Sequence, residues 1–277
     1  MYTEFYNLDG RPFQLSPDPQ FFFEASPHKK ALAYLNYGIS QCEGFIVITG
    51  EIGAGKTIMV EHILSTFVGR NLVAAKVVTT QLNADDLLRM VAAAFDIPQE
   101  GTEKATILKR MEAFLVDNLQ ANRRVLLFVD EAQNLPHGAL EELRMLSNMQ
   151  VGGRSLLQIY LIGQPEFRRT IARKSLEQLR QRVITSYHLL PLNAEESQQY
   201  IEHRLKHVGW QNDPSFGPHA FRMIHEASGG VPRKINLLCD RLLLLGYLEE
   251  KHEIDRAMVR EVVMDMHTEG SAPALSA

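Results

Sequence analysis

Gly50-Glu51-Ile52-Gly53-Ala54-Gly55-Lys56-Thr57 fits G-x-x-x-x-G-K-[ST] at every fixed position and follows the apolar run Phe45-Ile46-Val47-Ile48. A buried strand feeding a glycine-rich turn that opens a helix is the setting of a phosphate-binding P-loop. The glycines let successive backbone N–H groups converge on phosphate oxygens, where larger side chains would block the approach. Lys56 is then placed over the β- and γ-phosphates as a mobile point charge, and the Thr57 hydroxyl is a ligand for Mg²⁺. The expected nucleotide-contacting residues are Gly50, Glu51, Ile52, Gly53, Ala54, Gly55, Lys56, Thr57 and Ile58. The structural alternative is an ordinary glycine turn between a strand and a helix.

A second stretch weighs against that alternative. Val125-Leu126-Leu127-Phe128-Val129 is an apolar run that ends in Asp130-Glu131. It reads as a central parallel strand with acids at its carboxyl end, the edge at which open α/β sheets place ligands. Asp130 is positioned to hold Mg²⁺ through its water shell, and Glu131, pointing elsewhere, to polarise an attacking water. Without a P-loop upstream, a strand ending in a solvated Asp-Glu turn would be the better reading.

The bulk properties are those of a soluble globular protein: 277 residues, 45% hydrophobic, 22% charged and a formal net charge of −4. That balance supplies no global positive field for nucleic acid or anionic lipid, though a local basic patch is compatible with it. Two cysteines, Cys42 and Cys239, are too few and too far apart for a disulfide framework or a CxxC metal site. The start lacks a basic n-region, and no apolar run nears the roughly 20 residues that span a bilayer. The expectation is a cytoplasmic chain, neither exported nor membrane-spanning.

Alternating strands and amphipathic helices follow the P-loop. Val73–Val78 reads as a strand; Asn83 caps a helix whose apolar face is Leu87, Leu88, Val91, Ala92 and Phe95; Ile107 to Leu119 marks another. Leu140, Leu143 and Leu146 mark the next helix, and Leu156 to Ile162 a strand ending in Gly163-Gln164-Pro165. The fold class is therefore α/β, a parallel sheet flanked by helices. Beyond Pro191 the pattern reads as helices only, opened by the capping box Asn193-Ala194-Glu195-Glu196, so a small all-α domain is expected. The expected boundaries are 1–190 for the nucleotide domain, 191–268 for the helical lid and 269–277 for a flexible tail. Within the first, the proline- and phenylalanine-rich segment from Pro12 to His28 reads as an extended strap packed on the sheet domain, or as a wall of the adenine pocket.

This layout resembles the AAA+ ATPases. The resemblance implies that Gln164 helps orient the attacking water. It also implies that Arg180 and Arg182, in Leu179-Arg180-Gln181-Arg182-Val183, supply an arginine finger to a neighbouring subunit. Arg233, in Gly229-Gly230-Val231-Pro232-Arg233, would touch the γ-phosphate from the lid. A cation at a helix start is otherwise poorly placed against the helix dipole, and a phosphate could supply the missing anion. A narrower set, Phe5-Tyr6-Asn7-Leu8, Ser16-Pro17-Asp18-Pro19, Asp130-Glu131-Ala132-Gln133 and Gly163-Gln164-Pro165-Glu166, resembles the general secretion pathway protein A family. Within that family it is most similar to the short secretion ATPases of exosortase and exopolysaccharide loci.

The resemblance implies ATP and Mg²⁺ as ligands, a homo-oligomer, and an inner-membrane or secretion-system protein partner. Longer members carry a membrane helix and a periplasmic region after the ATPase. With this chain ending at Ala277, a peripheral position at the inner membrane through a partner is expected. Two other readings remain open. One is a DNA-associated AAA+ protein of the transposition or replication-loader type, supported by Arg168, Arg169, Arg173, Lys174, Arg180 and Arg182 but not by the acidic overall balance. The other is a nucleotide-gated adaptor with little turnover.

Overall fold

The computed structural model describes residues 1–41, 43–67, 71–79, 83–99 and 103–268. The expected tail and Cys42 lie outside the described residues. Five parallel strands form the central sheet: β1 (Phe45–Gly50), β2 (Leu72–Val78), β3 (Arg124–Asp130), β4 (Leu157–Gly163) and β5 (Val183–Leu189), in the order β2-β3-β4-β1-β5. Every residue of β1 and β4 is buried, as is every residue of β3 after Arg124. This is why these segments read as near-continuous apolar runs, broken only by the buried Thr49 of β1, the buried Gln158 of β4 and the acid that ends β3, the signature of parallel strands covered on both faces. Leu88, Met111 and Leu143, from the helices Ala84–Ala94, Lys104–Gln120 and His137–Ser147, join Phe45, Leu127 and Ile159 in one core. Full burial of such side chains stabilises the fold by roughly 1.5–3 kcal/mol each.

The register brings the functional strand ends to one edge. Thr49 of β1 pairs with Gly163 of β4, and Asp130 of β3 pairs with Val78 of β2. Because β4 separates β1 from β3, the chain leaves the sheet at Gly50, Asp130 and Gly163 from adjacent strands. That is the crevice position at which open α/β sheets take ligands.

The chain divides into two compact units. One comprises His28–Gly50 and Met59–Leu189; the other comprises Met1–Pro27, Glu51–Ile58 and the described part of Leu190–Ala277. The strap therefore differs from expectation. Phe13 and Phe21 are buried with Tyr200, Ile201, Leu205 and Leu242 of the helical unit rather than on the sheet. Two polar groups hold it there. Arg204, only 4% exposed, donates to the carbonyls of Pro12 and Gln14 and lies 4.6 Å over the Phe21 ring. Glu196 closes the expected capping box with Asn193 and also accepts from Ser26 N at 2.9 Å.

Two further departures concern strands. The edge strand β5 was not expected, because Thr185, Ser186 and His188 interrupt its apolar pattern; at an edge only Leu189 is buried. Beyond Pro191 the helices are not alone, since Ser215–Phe216 and Glu253–Ile254 form a short parallel pair. Two-residue strands carry no readable period. Among the described residues no helix is long and apolar enough to cross a membrane.

Replacing Arg204 by Leu leaves the Pro12 and Gln14 carbonyls without their charged donor and removes the guanidinium from over the Phe21 ring. The expected loss is about 2–3 kcal/mol of unfolding free energy, read by urea denaturation. A loss below about 0.5 kcal/mol, within the range of an ordinary surface substitution, would contradict the strap's anchorage.

Candidate nucleotide site

The glycine loop belongs to the helical unit. Gly53 and Gly55 adopt φ of +82° and +93°, which L side chains rarely tolerate. Lys56 is the first residue of the helix Lys56–Ser65 and is 6% exposed; its Nζ donates to Glu51 O at 2.9 Å, drawing the ammonium back across the loop. Ala54 N donates to the same carbonyl at 3.1 Å. Thr57 follows, half-buried, while Ile52 is 60% exposed.

Arg233 meets this loop through its backbone. It lies at the start of the helix Pro232–Leu248, whose N-cap, Val231, provides no side-chain acceptor. Arg233 N instead donates to Gly53 O at 3.2 Å, so the loop itself caps the helix. A Cβ on Gly53 would overlap the Cβ of Arg233. Gly53 is thus required twice, for its positive φ and for the close approach. The Arg233 side chain is exposed, and among the described residues no carboxylate pairs with it.

At the carboxyl edge of the sheet, Asp130 is 2% exposed. Its Oδ1 accepts from Glu131 N at 3.0 Å, and its Oδ2 lies 3.8 Å from Lys76 Nζ, which also pairs with Glu61 at 3.0 Å. Charge on the buried carboxylate is thus compensated within the sheet unit. Glu131 takes a left-handed conformation, φ +56°, costing of order 1 kcal/mol or more for a residue with a side chain. Thr79 supports that bend: its hydroxyl lies 2.8 Å from Asp130 O and 2.7 Å from Glu131 O, and its N–H donates to Asp130 O. The turn swings the Glu131 side chain away from Asp130 and toward β4.

There the Glu131 carboxylate meets two amides. Gln133 Nε2 donates to Glu131 Oε2 at 2.5 Å, and Gln164 Nε2 donates to the same oxygen at 3.3 Å. Gln133 Oε1 accepts from Gln164 N at 3.0 Å. The structure therefore brings together Asp130, Glu131 and Gln164, and separately Gly53, Lys56 and Arg233. Arg182 is elsewhere: Phe45 N donates to its carbonyl, which puts it at the amino-terminal edge of the sheet, and its guanidinium donates to Ser147 O at 3.3 Å. Arg180 is exposed and donates to Ala172 O at 3.2 Å, with Glu177 at 3.9 Å. Neither arginine belongs to the acid cluster of its own sheet.

Sequence reading gave no role to Lys76, Thr79 or Gln133. A lysine inside the otherwise apolar Val73–Val78 run is a signal for a buried counter-ion. Thr79 carries no comparable signal, because its role depends on the β2–β3 register. Gly53→Ala should abolish nucleotide binding, read by calorimetric titration with ATP, since the new Cβ must displace either the loop or the start of the Pro232–Leu248 helix. Unchanged affinity would show that the close approach is dispensable.

Comparison with known proteins bears on this geometry. Residues 40–171 match the model of an AAA domain. Over 255 residues, 92% of the chain, the sequence is 38% identical to general secretion pathway protein A of Aeromonas hydrophila, and it spans about half of that relative's length, 46%. In fold it is similar to the Aeropyrum pernix ORC2 protein (TM-score 0.69, 16% identity, 97% of this chain and 73% of that one). It is also similar to Cdc6p from Pyrobaculum aerophilum (0.68, 13%, 90% and 71%). The Thermotoga maritima RuvB Holliday junction branch migration motor is a more distant likeness (0.54, 17%, 91% and 72%). The sheet order, the P-loop between β1 and its helix, and the acids ending β3 are those of a P-loop AAA+ fold. By sequence and architecture the chain belongs to the AAA ATPase family of general secretion pathway protein A.

Proposed function

We propose that the protein binds ATP at the Gly50–Ile58 loop and hydrolyses it with Glu131 as general base. The observation that carries the reading is the Glu131 carboxylate itself. Both amide donors fall on Oε2, which leaves Oε1 without a hydrogen-bond partner among the described residues and available to a water. In this reading a water attacks the γ-phosphorus in line, its proton passes to Glu131, and the bond to the β,γ-bridging oxygen breaks. Lys56 and the loop N–H groups hold the phosphates, Gln164 orients the water, and Arg233 touches the γ-phosphate. Thr57 and Asp130 are hard oxygen donors of the kind Mg²⁺ requires, and they would hold it. When bound, the ion neutralises charge on the β- and γ-phosphates.

The wider role is an extension from the relative's name. The reading is an oligomeric engine, cytoplasmic or peripheral at the inner membrane through a protein partner, that energises envelope secretion of the exopolysaccharide or exosortase-linked kind. Arg182 or Arg180 would serve a neighbouring copy, because Arg182 stands at the sheet edge opposite Asp130 and Gln164. A finger supplied in trans raises phosphoryl-transfer rates by about 10³–10⁵.

Turnover per chain should therefore rise with protein concentration, and Arg182→Ala or Arg180→Ala should remove that rise while leaving ATP affinity intact. Lys56→Ala should lose ATP binding. Turnover per chain that is flat across concentrations and unaffected by either arginine substitution would contradict the shared site.

A further inference from the structure

Gln133 occupies a position that its place in the sequence does not explain. Its side-chain amide touches two groups of opposite demand. Glu131 Oε2 can only accept, and Gln164 N can only donate, so the amide has one workable orientation, with Nε2 toward Glu131 at 2.5 Å and Oε1 toward Gln164 at 3.0 Å. The bridge links the turn after β3 to the turn after β4 through one planar group. Gly163 makes room for it, since a Cβ there would stand 3.0 Å from Gln133 Oε1 and 3.4 Å from Gln133 N. Thr79 fixes the other side by holding the Asp130 and Glu131 carbonyls. Gln133 is half-buried in a single turn, Ala132–Asn134, that starts from the left-handed Glu131.

We infer that Gln133 is a positioning residue for Glu131, resting on the hydrolysis proposed above. By donating to Oε2 it turns the carboxylate so that Oε1 is the oxygen presented to water. By accepting from the Gln164 backbone it sets the distance between that carboxylate and the Gln164 amide. The two glutamines then act as one unit: Gln164 reaches Glu131 directly at 3.3 Å and also through Gln133. A base free to rotate about its last torsions spends less time in a reactive pose, and displacements near 1 Å cost on the order of 100-fold in rate.

The test is steady-state ATP hydrolysis by the full chain with Mg²⁺, alongside equilibrium ATP binding, for wild type, Gln133→Ala, Gln133→Glu, Gly163→Ala and Glu131→Gln. Gln133→Ala is expected to lower kcat by about tenfold or more with Kd for ATP unchanged, because the loop that holds phosphate is untouched. Gly163→Ala, which removes no hydrogen-bonding group, should lower kcat in the same sense by shifting the Gln133 amide by a few tenths of an ångström. Gln133→Glu nearly preserves shape, but as a carboxylate it has no donor for Glu131 Oε2, so it should lower kcat as Gln133→Ala does, again with Kd for ATP unchanged. A role confined to packing would spare Gln133→Glu. Wild-type kcat in Gln133→Ala and Gln133→Glu, with Glu131→Gln inactive, would overturn the inference and leave the hydrolysis reading standing. Wild-type turnover in Glu131→Gln would overturn both.

Discussion

The parallel sheet constrains everything else in this protein. All five strands run one way, so their carboxyl ends share an edge, and the order β2-β3-β4-β1-β5 puts the ends of β1, β4 and β3 side by side. Each end carries chemistry that suits its place. β1 runs into a loop that only glycine can shape at Gly53. β3 ends in Asp130, buried beside Lys76, and β4 ends in Gly163, small enough to admit the Gln133 amide. The buried Asp130 carboxylate and the Gln133 amide are tolerated at this edge because each meets a partner of opposite demand.

A second coupling lies within the helical unit. The Pro232–Leu248 helix has no side-chain cap and takes Gly53 O as the acceptor for Arg233 N. The conformation of the loop is therefore tied to the start of that helix. The same unit holds the N-terminal strap through Arg204 and Glu196.

Most of this fold was legible in the sequence for a simple reason. Strands buried on both faces leave near-continuous apolar runs, and the P-loop and the Asp130-Glu131 pair have fixed spacings that their chemistry requires. The failures have physical causes too. β5 sits at an edge, where every residue but Leu189 is incompletely buried, so Thr185, Ser186 and His188 are tolerated there and break the pattern. The strap's phenylalanines had to be buried, but sequence alone does not say against which unit; the buried guanidinium of Arg204 decides it. Thr79 and Gln133 were hidden because their contacts join turns distant in sequence. Glu131 was found as an acid after a strand, whereas its left-handed backbone and its two amide partners belong to the folded edge alone.

The central claim is that Glu131 activates water on an ATP held by the loop. Its most direct test is the identity of the nucleotide recovered from Glu131→Gln after incubation with ATP and Mg²⁺, compared with wild type. The account predicts intact ATP bound to the variant and ADP on wild type, with similar occupancy. ADP recovered from the variant at the wild-type rate would contradict it.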